Sequence, residues 1–282
     1  MEILYVPLDI INDFVNNYGL TIKEKIYFIS SCNFFFTNIY IKIDYTNKLN
    51  DNILRQPKFN RIDTLDMAYS FNITNISHLT NLTKLDIGCR YNNIDQNSIK
   101  NLYKLIYLDI YNNKKIINIA HLTNLTYLNA SRSHIKQNSI DTLINLQILN
   151  ITNHKYITNI SHLTKLTFLN IYNNKKINTI AHLTNLTFLN AHNSQINQNS
   201  IDTLVNLKKL IITNHEYITN ISHLTKLTDL NIDGVNCKIN QMNIENLYLL
   251  TSLNILNNTG IISTSHLTNL KILNGCPIKK LL

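Results

Sequence analysis

The order of apolar and polar residues follows one rule from about residue 65 to the end of the chain. A short phrase, Leu-x-Ile or Leu-x-Ala, returns again and again. Its clearest copy is Leu163-Thr-Lys-Leu-Thr-Phe-Leu-Asn-Ile171, followed by Leu186-Thr-Phe-Leu-Asn-Ala191. The leucines that open the phrase are Leu65, Leu85, Leu108, Leu128, Leu149, Leu169, Leu189, Leu210, Leu230, Leu253 and Leu273, at steps of 20 to 23 residues. Apolar residues two apart share one face of a strand, so each phrase predicts a short strand. Leu163 and Leu166, three apart, predict a helical or 3₁₀ segment packed on its back. One unit cannot bury both faces, whereas a stack of about eleven can. With parallel strands about 4.8 Å apart, the stack spans on the order of 50 Å.

Two kinds of turn connect the strands. One carries His-Leu-Thr-x-Leu, at His78, His121, His162, His182, His223 and His266. The other carries Gln-Asn-Ser-Ile-x-x-Leu, from Gln96, Gln137 and Gln198, with Gln241-Met-Asn-Ile as a divergent copy. Asn or Ser at that place suits a helix N-cap, which predicts a short helix. Asn112-Asn113, Asn173-Asn174 and Asn257-Asn258 follow the strands. Asn tolerates left-handed backbone and bonds its own main chain, so these pairs predict turns and a ladder of buried amides. Larger blocks recur too: Tyr111-Asn-Asn-Lys-Lys returns at Tyr172 and Ser139-Ile-Asp-Thr-Leu at Ser200, both 61 residues on. Duplication of a three-turn block accounts for this.

Residues 1–45 have another texture. Pro7 suits the first turn of a helix, and Ile10, Ile11, Phe14 and Val15 then recur at helical spacing. After Gly19, Thr21 and Glu24 form a capping box for a second helix carrying Ile22, Ile26 and Ile29. Residues 46–64 read as a polar connector, and 65–282 as the repeat array.

The repeat spacing Leu-x-Ile-x-x-Asn-x-x-Ile resembles the leucine-rich repeats, in particular their cysteine-containing class, with Asn, His or Ser where Cys often stands. That resemblance implies an α/β solenoid: a right-handed superhelix with a parallel sheet on its concave side, preceded here by a small helical domain. Val6-Pro-Leu-Asp-Ile-Ile-Asn-Asp-Phe14, Gly19-Leu-Thr-Ile-Lys-Glu-Lys-Ile26 and Ser30-Ser-Cys-Asn-Phe-Phe35 resemble the F-box. Val6 replaces the usual leucine. The F-box resemblance implies docking to a Skp1-type linker of a ubiquitin ligase through Pro7, Leu8, Ile10, Ile11 and Phe14, with the array holding the protein target. The alternative is a helical cap for a plain binding scaffold.

Composition modifies this picture little. The chain is 44% hydrophobic and 15% charged, which is the balance of a folded protein. Asn fills about one position in six, well above ordinary usage, and with Ile, Lys and Tyr it indicates a genome rich in A and T. The formal net charge of +9 can favour polyanions. Its lysines are scattered or sit in Asn-Asn-Lys-Lys, without an Arg-rich run, so nucleic acid is not the expected partner. The four cysteines show no paired spacing. With no signal-peptide pattern at Met1-Glu-Ile-Leu-Tyr5, an intracellular, reducing location is expected. No apolar run reaches membrane-spanning length.

Candidate chemistry is sparse. No Gly-x-Ser-x-Gly, phosphate-binding loop or His-Glu-x-x-His occurs, so neither catalysis nor a metal or cofactor is expected. The histidine columns, with His154 and His215, read as structural. If Leu169 and Ile171 point inward, Phe168 and its equivalents Tyr107, Tyr127 and Phe188 face outward from the sheet. Tyr111, Tyr172 and His192 lie further along the same face, among Asn129, Asn150, Asn170 and Asn190. Exposed aromatics with adaptable polar neighbours suit a protein target. A monomer is expected.

Overall fold

A computed structural model describes residues 40–42, 51–55, 59–60, 62–67 and 72–277. The candidate linker contacts Pro7, Leu8, Ile10, Ile11 and Phe14 lie outside the described residues.

Every leucine of the repeat points into the core from its own strand, buried except at the last, Leu273, which is partly buried. The strands are β1 (Tyr40–Lys42), β2 (Thr64–Asp66), β3 (Lys84–Asp86), β4 (Tyr107–Asp109), β5 (Tyr127–Asn129) and β6 (Ile148–Asn150). They continue with β7 (Phe168–Asn170), β8 (Phe188–Asn190), β9 (Lys209–Ile211), β10 (Asp229–Asn231), β11 (Ser252–Asn254), β12 (Ile272–Leu273) and β13 (Cys276–Pro277). They form one sheet in sequence order. All neighbours pair in parallel except β12 and β13, which form an antiparallel hairpin. The leucines sit in register across the sheet, as in Leu149↔Leu169 and Leu169↔Leu189. The eleven strands β2–β12 carry the eleven repeat leucines and enclose about ten complete turns.

Within one turn the buried side chains are Leu169, Ile171, Asn174, Ile177, Ile180, Leu183 and Leu186, before Leu189 starts the next. Behind the strand the apolar spacing is three, and the backbone closes i+3 to i bonds at that interval: Leu183 N–H to Ile180 O and Leu186 N–H to Leu183 O, both 3.0 Å. Successive tight turns therefore take the place of a helix in the histidine turns.

The Gln-Asn-Ser-Ile segments are short helices: α2 (Gln96–Ile99), α3 (Gln137–Ile140), α4 (Gln198–Ile201) and α5 (Gln241–Ile244). The expected cap is displaced by one or more residues. Asp95, Asn197 and Asn240 precede the glutamine and accept the capping bonds, while Lys136 makes none. Ser98, Ser139 and Ser200 lie inside the helix, and their hydroxyls donate to carbonyls of the preceding turn (Thr74, Ile117 and Asn178).

The two turn types lock to each other. Gln137 Oε1 accepts from Thr158 N–H (2.8 Å) and Asn159 N–H (3.1 Å), and its Nε2 donates to Asn159 O (2.8 Å). Gln198 grips Thr219 and Asn220 in the same way. A primary amide here supplies the donor and acceptor that a neighbouring strand would supply. In return the histidine ring bonds the last carbonyl of the helix behind it: His121 to Ile99, His162 to Ile140, His223 to Ile201 and His266 to Ile244. Each of these carbonyls also accepts the backbone N–H three residues on, such as Leu143 N–H to Ile140 O at 3.0 Å, so the histidine fills its second acceptor position.

The same lock exists at residues 51–54. A short helix, α1 (Asp51–Leu54), precedes β2, and His78 bonds Leu54 O at 2.8 Å. The Asp51 carboxylate accepts from Thr74 N–H and Asn75 N–H, as the glutamines do. Leu54 joins the core, and β1 pairs with β2. The stretch 46–64 thus contains a turn of the array, and the sheet starts within the segment read as a helical domain.

Helical and histidine turns alternate except once. His162 and His182 stand in consecutive histidine turns. The 61-residue repeat explains it, because copying a three-turn block of an alternating pattern places two like turns together. No glutamine lies behind this second turn. The exposed Asn178 and Thr179 have no backbone N–H bond among the described residues, and His182 is exposed instead of capping a helix.

Candidate functional site

Alternation along each strand places the first and third residues on the solvent side. Register then assembles them into rows. The first row reads Thr64, Lys84, Tyr107, Tyr127, Ile148, Phe168, Phe188, Lys209, Asp229 and Ser252. Five consecutive half-buried apolar or aromatic side chains, from β4 to β8, are bounded by Lys84 and Lys209. At the strand spacing this strip is about 19 Å long. Ile148 in its middle was not picked out from the sequence. It lacks the ring that marked its neighbours, and only register places it among them.

The rings pack face to face. Tyr107 and Tyr127 stack at 4.0 Å between centroids and 12° between planes, and Phe168 and Phe188 at 4.0 Å and 7°. The Lys209 ammonium lies 5.9 Å from the Phe188 centroid. Faces are thereby used up within each pair and toward Lys209, leaving ring edges for a ligand there, while Tyr107 also lines a cavity with Lys84 and Asp86. Those edges carry the positive end of the ring quadrupole. Burial first, and then a hydrogen bond to the Tyr127 hydroxyl, hold the Tyr107 phenol far above its ordinary range.

The second row is carboxylate at one end and amide beyond: Asp66, Asp86 and Asp109, then Asn129, Asn150, Asn170 and Asn190. Each of these amides accepts, through Oδ1, the backbone N–H two residues on, as Asn170 does from Tyr172 and Asn190 from His192. That fixes the carboxamide. Asn129 Nδ2 is taken by Asp109, whereas Asn150, Asn170 and Asn190 keep Nδ2 unbonded among the described residues. Desolvation, only partly offset by bonds from Tyr111 N–H and Asn129, raises the Asp109 carboxyl above its usual value.

A third row follows the strand ends. Tyr172 and His192 stack at 4.5 Å and 11°, and His192 Nδ1 contacts the Thr213 hydroxyl. Burial and the nearby Lys175 lower the His192 pKa. Of the seven candidate face residues, the structure brings Tyr107 to Tyr127, Phe168 to Phe188 and Tyr172 to His192. Tyr111 stands apart, three strands from Tyr172, with Ser131 and Thr152 between them.

Most of the other histidines are structural members of the stack. His154 and His215 occupy the position of Asn113 and Asn174, and the column from His78 to His266 bonds helix carbonyls except at the exposed His182. Among the described residues no three His, Cys, Asp or Glu side chains group as a metal site. Cys89, Cys237 and Cys276 are free thiols. No described helix is long and apolar enough to cross a membrane.

No protein-family model matches the chain, and no curated protein matches it. Solved structures do. An internalin from Listeria monocytogenes is similar over 94% of this chain and 93% of its own, at 20% identity and a TM-score of 0.52. A leucine-rich repeat protein of Leptospira interrogans is similar over 84% of this chain and 71% of its own, at 18% identity and a TM-score of 0.55. The fold is that of the leucine-rich repeat proteins, a parallel-strand solenoid.

Proposed function

We propose that this chain is a protein-binding adaptor whose outward sheet face, from β4 to β8, holds a protein target. One observation carries this reading: the face offers ring edges and fixed amide donors side by side. Both attract carbonyl oxygens, the commonest exposed acceptors of a polypeptide. A nucleobase would instead need a free ring face to stack on, and here the rings stack on each other.

The finer role is substrate receptor of a Skp1-containing ubiquitin ligase, inside the cell. The motif resemblance of residues 6–35, placed ahead of a repeat array, supports it. Pro7, Leu8, Ile10, Ile11 and Phe14 are the linker contacts in this reading. The chain then contributes proximity alone, and the chemistry belongs to its partners. Co-precipitation with a Skp1-type protein tests it. Wild type is expected to bind, and a Pro7→Ala, Ile11→Ala double variant to lose at least about tenfold in affinity, as truncation at an interface centre does. Failure of the wild type to bind, or undiminished binding by the variant, overturns the ligase role.

A second reading has its own support. The strand β1, three residues long, is the first described strand of the sheet, and a sheet edge invites pairing with other chains unless it is covered. The helices expected within residues 1–45 then serve as a cap, and the array is a binding scaffold without a ligase role.

A further inference from the structure

The loops that leave the strands carry a charge pattern that the sheet face does not account for. In each turn one buried residue forms the rung of a ladder: Asn113, Ser133, His154 and Asn174 in four consecutive turns. The residue after it is Lys114, His134, Lys155 and Lys175, a cationic or titratable side chain every time. At the turn spacing these four lie along a ridge of about 15 Å. The exposed Arg132 joins it from a left-handed backbone position, φ 56°, and its carbonyl takes a bond from Lys114 Nζ. Arg90 stands at the end nearer β3.

No described acid balances the ridge at its centre. After burial, the groups that lower the Lys114 pKa are Lys155, Arg132 and Arg90. His134 is likewise lowered by burial, Lys114 and Lys155. The same loop position turns neutral at Gln195 and acidic at Glu216, so the ridge ends there. On the sheet beside it, the carboxylates of Asp86 and Asp109 give way to amides from β5 to β8. From β5 to β7, therefore, amides and not carboxylates lie beside the ridge, and nothing on the sheet there opposes an anionic chain.

We propose that this ridge, formed by Arg90, Lys114, Arg132, His134, Lys155 and Lys175, binds a carboxylate-rich segment of a protein partner. It rests on the reading of the neighbouring sheet face as a protein-binding surface and adds the chemistry of the partner. Tyr172 and His192 connect the two surfaces, since Lys175 acts on His192. An acidic peptide fits better than a nucleic acid. The ridge is short, carboxylates border one end, and the Tyr172 ring beside Lys175 is already stacked on His192 and not open to a base.

Fluorescence anisotropy with a labelled peptide of alternating Glu and Ala tests this, beside a labelled oligothymidylate. The wild-type chain is expected to bind the peptide, more weakly as salt rises. A Lys114→Gln, Arg132→Gln, Lys155→Gln variant is expected to bind it at least about tenfold more weakly. The control is Lys104→Gln, Lys165→Gln, Lys226→Gln, whose ammonium groups bond Asn81, Asn145 and Asn206 elsewhere on the array. It removes the same net charge and is expected to bind as wild type does. Absent peptide binding, an equal loss in both triple variants, or no loss in the ridge variant overturns the proposal. So does tighter binding of the oligothymidylate. A Phe168→Ala, Phe188→Ala variant separates the two surfaces: it is expected to keep the peptide even if the face reading fails, and losing the peptide would place it on the sheet and not the ridge.

Discussion

Replacing Asn113 by Ala is expected to cost about 3–5 kcal/mol of unfolding free energy, the largest effect of any single polar substitution in the array. The side chain is buried and makes three bonds to main chain. Oδ1 accepts from Lys115 N–H at 2.8 Å and Ile116 N–H at 3.1 Å, while Nδ2 donates to Ile94 O at 3.1 Å in the turn before. Alanine leaves a buried donor without an acceptor and the ladder without a rung. Asn92 repeats the arrangement, with bonds to Ile94 N–H and Met67 O. The preceding residue, Asn112, holds φ at 58°, and Asn153, Asn173, Asn193 and Asn214 do the same in later turns. An Asn113→His variant should cost only about 1 kcal/mol, because His154 already fills the equivalent place. Urea unfolding of the two variants checks this. Equal losses would mean that the amide bonds are not what holds the rung.

Acid should weaken the array through His154 and His215. Burial, aided at His154 by His134 and Lys114, lowers that pKa to about 4. His215 falls to about 4 as well, through burial and Lys175, with Glu216 opposing. His154 Nδ1 sits 3.3 Å from both Tyr156 N–H and Ile157 N–H and accepts from them, so its proton is on Nε2, facing the Ser133 hydroxyl. Adding a second proton would set donor against donor. An unfolded imidazole titrates near 6.5. Between pH 6.5 and 4 the unfolded chain therefore holds protons that the folded chain refuses. Stability is complete above the unfolded value and falls as pH drops through that window. At pH 5 the loss is about 2 kcal/mol for each histidine. Unfolding midpoints at pH 7.5 and 5 measure it. A His154→Asn, His215→Asn variant, matching Asn113 and Asn174, is expected to lose the greater part of the acid sensitivity. An unchanged acid sensitivity would assign it elsewhere.

The repeat was legible because its signal is periodic. Leu-x-Ile fixes the inward face of a strand, and the step between leucines fixes the stack, with no knowledge of contacts. The outward positions of Tyr107, Tyr127, Phe168 and Phe188 followed from alternation alone. Partnerships between turns were not legible. Gln137 reads as a helix residue in sequence, but its value lies in reaching Thr158 and Asn159, more than twenty residues away. The histidine column likewise has no meaning until the carbonyl of the helix behind it is in place. Asp51 hid the first turn of the array, since a carboxylate there does not look like the glutamine it replaces. The abundance of Asn pointed to genome composition, yet the asparagines occupy defined columns. Asn124, Asn145, Asn185 and Asn206 each donate to a carbonyl of the preceding turn. Ile148 needed register, and Tyr111 looked close to Tyr172 only because the same motif surrounds both.

The duplication also has a physical consequence. Alternation of helical and histidine turns maintains the amide lock, and the block copied at 61 residues breaks it once, beside His182. The core leucines and isoleucines continue across that junction without a gap. Apolar stacking thus tolerates an error in the polar layer that surrounds it. New turns can be added in blocks while the sheet face extends in register, which is how one motif comes to present a wide surface.

The most direct test of the sheet face as the target-binding surface is a comparative purification. Tagged wild type, a Phe168→Ala, Tyr172→Ala, Phe188→Ala variant and a control variant, Tyr103→Ala, Ile144→Ala, with exposed residues outside the strands, are expressed in the same cells. Melting curves verify that each is folded, and bound proteins are quantified by mass spectrometry. Wild type and control are expected to retain the same target, with the face variant losing it at least about tenfold. Retention of every bound protein by the folded face variant would contradict the assignment of this surface.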